Sequence, residues 1–94
     1  MKLISIKPST RADKKMMAIF LSDFGEKIVH FGAKRYDDFT TSLSQEKKDA
    51  YIKRHEVRED HKNPYTAGAL SRWILWNKPT IKASITDYKK RFKL

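Results

Sequence analysis

The segment TAGALSRWILWNKPT, residues 66–80, is apolar on nearly every side of a helical projection, and only Ser71 and Arg72 in its body are clearly polar. A helix of that kind is normally buried, so the rest of the chain has to be built around it. Thr66 is placed to cap its start, and it should close near Asn77, ahead of Lys78 and Pro79. Ala67, Gly68 and Ala69 let a neighbour come close. Leu70, Trp73 and Ile74 share one face with Asn77, flanked by Ala69 and Trp76. Truncating a core tryptophan costs about 3–5 kcal/mol, a large part of the about 5–15 kcal/mol that holds a small domain together. Trp73 is therefore expected in the core. Trp76, at the margin of the apolar face, is the tryptophan that is free to meet a partner.

What precedes this helix reads first as strands. LISI near the start is β-branched and is closed by Pro8; MMAIFL at 16–21 lacks clean alternation, which suggests cover on both faces; KIVHF at 27–31 is closed by Gly32. Asp23, Phe24 and Gly25 suit a hairpin loop between the last two, with Gly25 in the left-handed position. KRYDDFTT, 34–41, is a polar connector whose Tyr36 and Phe39 tack it to the domain.

Then the period becomes helical. Ser42 with Gln45 three residues later is a capping-box pattern, predicting a helix over 42–60 that Pro64 keeps from continuing. Thr80 caps another over 80–93, where Ile81, Ile85, Tyr88 and Phe92 make one apolar stripe. The expected fold is α+β: an N-terminal antiparallel β-hairpin or three-stranded sheet over 1–33, followed by three α-helices at 42–60, 66–77 and 80–93, in one domain of 94 residues.

Charge is the other strong signal. Lys and Arg number 21 against 11 Asp and Glu, a formal charge of +10 that attracts polyanions or acidic protein faces. The signs are sorted on the 42–60 helix. Leu43, Ala50 and Val57 recur every seven residues and should face inward; Lys47, Tyr51, Arg54 and Arg58 run along the edge of that face; Glu46, Asp49, Glu56 and Asp60 gather opposite, with Asp49 spaced to pair with Lys53. A cationic row with a tyrosine in it suits a phosphate backbone. The competing account is structural, with Arg54 burying its stem and pairing with Asp37 or Asp38. On the last helix Lys82, Lys89 and Lys93 line one flank, and Lys89, Lys90, Arg91 and Lys93 crowd the end. One or two cations there would serve the helix dipole; four suggest a polyanion contact.

Signals for catalysis are faint. His55, Glu59 and His61 fall within seven residues, but HEVREDH supplies no third metal ligand and His30 reads as a half-buried strand histidine. The three glycines are scattered, so no phosphate loop is formed. No cofactor, metal or enzyme activity is expected. The absence of cysteine suits a reducing compartment, and no run is long enough to span a membrane, so a soluble intracellular protein is expected.

The strings FGAKRYDDFT, YIKRHEVRED and TAGALSRWILWNKPTIKASITDYKKRF, within residues 14–94, resemble a family of small basic proteins encoded by nucleocytoplasmic large DNA viruses of algae and amoebae. That family has no assigned activity. The resemblance implies a viral setting, in the virion and in the host cytoplasm or nucleus during infection, and no site residues. Its members often carry a histidine and an acidic pair where this chain has Ser42-Leu43-Ser44, which argues against a catalytic group there. Two functions follow. The first is a sequence-nonspecific nucleic-acid-binding or genome-condensing virion component, contacting phosphates through Lys47, Tyr51, Arg54, Arg58, Lys82, Lys89, Lys90 and Lys93. The alternative is a minor capsid or assembly-bridging protein that binds acidic viral proteins, docking through an exposed Trp76 or the hairpin edge. Spacing sets no oligomeric state.

Overall fold

Three antiparallel strands, β1 (Lys2–Pro8), β2 (Lys14–Ser22) and β3 (Gly25–Ala33), open the fold in this computed structural model, which describes residues 1–94. They lie side by side in the order β1-β2-β3. Successive side chains in a strand point to opposite faces, so Ala18, Phe20 and Phe31 meet the helices and are fully buried. On the outer face Met17 is also buried, whereas Leu21 and Ile28 are about half exposed. The expected double cover of β2 thus exists only at its Met17 end. A β-bulge at Ile4, between the pairs Leu3–Phe20 and Ser5–Ile19, adds a further half-exposed residue to that edge.

The hairpin between β2 and β3 forms where the sequence places it. Ser22 pairs with Gly25, leaving Asp23 and Phe24 as the two-residue turn, and Gly25 has a φ of 116°. The Ser22 hydroxyl accepts from the Phe24 amide and donates to the Gly25 carbonyl, leaving the Phe24 ring fully in solvent. Gly32 is the other position that only glycine suits. Its φ is 80°, and an added Cβ would lie 2.5 Å from the Leu75 side chain.

Four helical segments follow: α1 (Phe39–Ser42), α2 (Gln45–His55), α3 (Ala67–Leu70) and α4 (Ile81–Phe92). The helix expected over 42–60 is corrected at both ends. Asp38 and Thr41 form the capping box and wind one turn, α1, before Leu43 takes a left-handed φ of 53° and breaks it. Ser44, not Ser42, then caps α2 by accepting from the Lys47 amide, and α2 stops at His55. With α2 this short, the heptad set does not face inward. Leu43 and Val57 are largely exposed and Ala50 is exposed; Lys48, Tyr51, Ile52 and His55 are the half-buried residues instead.

Thr66 and Thr80 cap α3 and α4 as their sequences suggest, each accepting from the amide three residues on. After Leu70, α3 continues as a π turn, Ser71–Leu75, in which the Trp76 amide reaches back to the Ser71 carbonyl at 3.1 Å. Such wide turns admit one extra residue per turn and often mark functional sites. Here the turn sends the two tryptophans to different neighbours. Trp73 meets Phe92 and Arg91 on α4, while Trp76 stacks on Tyr51 of α2. Both rings pack against the core margin, and neither is fully buried. The centre is held by Phe20, Phe31, Leu70, Ile74, Leu75 and Tyr88, and the Tyr88 hydroxyl donates to the Pro64 carbonyl at 2.6 Å.

Candidate nucleic-acid interface

The cationic row of α2 sits along the edge of its packed face. In a helix of 3.6 residues per turn, Lys47, Tyr51 and Arg54 fall on one side. Arg54 and Arg58 are exposed and have no carboxylate within ion-pair distance, so the inward pairing of Arg54 with Asp37 or Asp38 does not form. Other lysines take those acids. Lys15 of β2 reaches Asp38 at 2.6 Å, and Lys47 lies 3.6 Å from Asp37. The expected Asp49–Lys53 pair is also absent; Asp49 accepts from Gln45 instead. On α4, Lys82, Lys89, Lys90 and Lys93 are all exposed and without a carboxylate partner. Of the 21 Lys and Arg side chains, only Arg11, Lys15, Lys47 and Arg91 are paired with acids.

Tyr51 departs from the rest of its row. Its ring is stacked on both sides, against His55 with centroids 4.1 Å apart and against Trp76 at 4.5 Å and 8°. It is therefore part of a three-ring stack and not an open platform. Burial, followed by the negative charge of Glu59, pushes its phenol up to about 12, and burial likewise raises that of Tyr88. Because folding raises both values, the stability they contribute is full below the ordinary phenol value of 10.0 and is lost as pH climbs through the folded ones. We expect late phenolate absorbance from these two rings, with loss of near-ultraviolet circular dichroism setting in between pH 10.0 and about 12. Ordinary titration of every phenol with the dichroism intact would contradict this.

The stack forms one wall of a cleft of about 420 Å³ between β3 and the helices. Its other lining includes Lys15, His30, Asp37, Asp38, Glu59 and Ser71. Sequence spacing does not reveal it, because Tyr51 and Trp76 come from different helices and His30 and Lys15 from the sheet. Each acid in the wall has a partner. Glu59 sits between His55 Nδ1 at 3.3 Å and His61 Nε2 at 3.0 Å, and it lies so close over Gly68 that an added Cβ there would be 2.7 Å from its carboxyl carbon. These three side chains bridge the end of α2 to the loop before α3, and no group of His, Asp or Glu has the arrangement to hold a metal ion. His30, half-buried as expected, shares a 2.7 Å hydrogen bond with the Ser9 hydroxyl.

At the far end of the π turn, cations are spent on carbonyls. Lys48 Nζ donates to Asn77 O at 2.7 Å, and Arg72 donates to Trp76 O at 2.8 Å. Burial and the charges of Arg72 and Lys78 hold the Lys48 amine below its usual value. Arg72 and Arg91 each lie over the Trp73 ring, at 4.1 and 3.8 Å from its centroid. These cations serve the fold.

The molecule is thus a small basic α+β domain with a free cationic row beside an aromatic-walled cleft. The chain belongs to the DUF5754 family, a family of unknown function, whose model matches residues 4–55. That match spans the sheet, α1 and α2, and so takes in Lys47, Tyr51 and Arg54 but not Arg58, Trp76 or α4. No curated protein and no solved structure matches the chain. No helix is long and apolar enough to cross a membrane.

Proposed function

We propose that this protein binds nucleic acid without sequence preference, through phosphate contacts from Lys47, Arg54 and Arg58 and from Lys82, Lys89, Lys90 and Lys93. One observation carries the reading: Arg54, Arg58, and Lys82, Lys89, Lys90 and Lys93 on and just past α4 stand in solvent with no acid to neutralise them. An unpaired, exposed cation is free to displace a condensed counterion from a phosphate. Tyr51 is removed from the set of direct contacts, since both its faces are occupied. Genome condensation is the use that the viral resemblance would give such binding.

Anisotropy titration of a fluorescein-labelled duplex over a range of salt tests this. At about −0.9 per neutralised phosphate, engagement of part or all of this set gives a log–log slope between about −2 and −6. No binding at low salt, or a slope shallower than about −1, would reject the reading.

A second reading is favoured by the outer face of the sheet. Phe24 at the hairpin tip is fully exposed, and Ile4, Leu21 and Ile28 beside it are about half exposed. Grouped apolar surface of this kind marks contact sites. It suits an assembly-bridging protein whose basic surface meets acidic partners, and a flat salt titration would turn the choice that way.

A further inference from the structure

We propose that the cleft beside β3 receives one unpaired nucleobase of a single-stranded nucleic acid, seated against Trp76, while Arg54 and Arg58 hold the phosphates outside. The inference rests on the nucleic-acid reading and adds to it a preferred substrate, single strand over duplex.

The arrangement of charge supports this division. The cleft wall carries Asp37, Asp38 and Glu59 against Lys14 and Lys15, and Lys15 is already held by Asp38, so the excess of carboxylate opposes entry of a phosphate. Outside it, three residues on from Tyr51 along α2, stands the unpaired Arg54 guanidinium, and that of Arg58 stands exposed in the turn that follows α2. A nucleotide has the matching polarity, a neutral planar base joined to an anionic phosphate. The plane of that base finds aromatic surface, because His55, Tyr51 and Trp76 are stacked nearly parallel and Trp76 is only half-buried. N–H groups on the base edge, the N3–H of thymine included, find carboxylate acceptors. The Glu59 side chain keeps partial exposure, at 29%, and Asp37 is open at 64%. At about 420 Å³ the cleft falls in the range of about 300–1,000 Å³ typical of pockets that take small molecules. A duplex can present its phosphates to α2 but keeps its bases stacked inside; a single strand offers both.

The test uses the full chain and three probes: a ten-residue oligothymidine, the same strand with a central 2-aminopurine, and a duplex with the same number of phosphates. Stacking of one base predicts single-strand binding about tenfold tighter than duplex binding, with quenching of 2-aminopurine in the complex. Trp76→Leu should weaken the single strand about tenfold and change the duplex less than twofold. Ala67→Phe, which fills the cleft from an exposed position, should do the same, and it carries the test if the Trp76 variant loses its circular dichroism. Equal affinities for the two forms, unchanged 2-aminopurine emission, or equal weakening of both by Ala67→Phe overturns the cleft and leaves phosphate binding intact. Failure of every probe at low salt removes the nucleic-acid reading, and the cleft proposal with it.

Discussion

With Arg54 and Arg58 both replaced by glutamate, duplex affinity falls about 60-fold at about 0.1 M salt, and the log–log slope flattens by about 1.8. The size follows from counterion release, in which each phosphate contact contributes about 0.9 log unit at that salt. Extending the reversal to Lys47 adds less than a further full contact, because Asp37 already lies 3.6 Å from its amine. Stability should barely move, since both arginines are exposed and unpaired, and such surface changes usually stay within about 0.5 kcal/mol. Reversing Lys2 and Lys7 is the control. It changes net charge equally but lies on β1, so it should weaken binding only through the long-range field. If the control costs as much as the Arg54 and Arg58 pair, binding is a property of total charge and the row has no special role.

Why that row was legible in sequence, and its surroundings were not, has a physical explanation. Local rules held where the sequence offers a single local partner, and not where two compete, as Gln45 and Lys53 do for Asp49. Thr66 and Thr80 cap their helices, and the stripe Ile81, Ile85, Tyr88 and Phe92 meets the core. The hairpin between β2 and β3 also forms at Asp23, Phe24 and Gly25, because its turn residues are adjacent. Rules failed where two local solutions competed. Ser42 and Ser44 both offer a hydroxyl, and the choice fell to Ser44 only because Asp38 and Thr41 had already wound α1. A seven-residue repeat means little on an eleven-residue helix, so Leu43 and Val57 ended outside.

The site itself depends on long-range partners. Arg54 was left in solvent because a lysine 23 residues upstream of Asp38 occupies that carboxylate. The Tyr51–Trp76 stack depends on the π turn after Leu70, which swings Trp76 toward α2. A helical projection puts Trp73 on the apolar face and Trp76 at its margin but does not say which neighbour each ring meets. The wide turn sets those neighbours, with Trp73 against α4 and Trp76 at the cleft.

Asp38→Ala should be the most damaging single change near the site, costing about 3 kcal/mol, the lower end for breaking a buried ion pair. The carboxylate is 2% exposed and does two jobs. Its Oδ2 holds Lys15, whose side chain is only 18% exposed, and its Oδ1 accepts from the Thr40 amide at 2.8 Å as the N-cap of α1. Removing it leaves an amine short of a partner beside the cleft and unties the turn that places Phe39 under Lys48. Asn at this position separates the two jobs. It keeps a capping oxygen, worth about 1 kcal/mol, and loses the charge. Urea unfolding should therefore rank the native protein above Asp38→Asn and that above Asp38→Ala. Lys15→Met should be milder than Asp38→Ala because Thr40 and Thr41 still satisfy the cap. A double-mutant cycle over Lys15 and Asp38 then isolates the pair. A coupling near zero would mean that Asp38 matters only as a cap. In that case Lys15 is free charge at the cleft, available to a phosphate, and the division of acids inside from cations outside is weaker than the geometry implies.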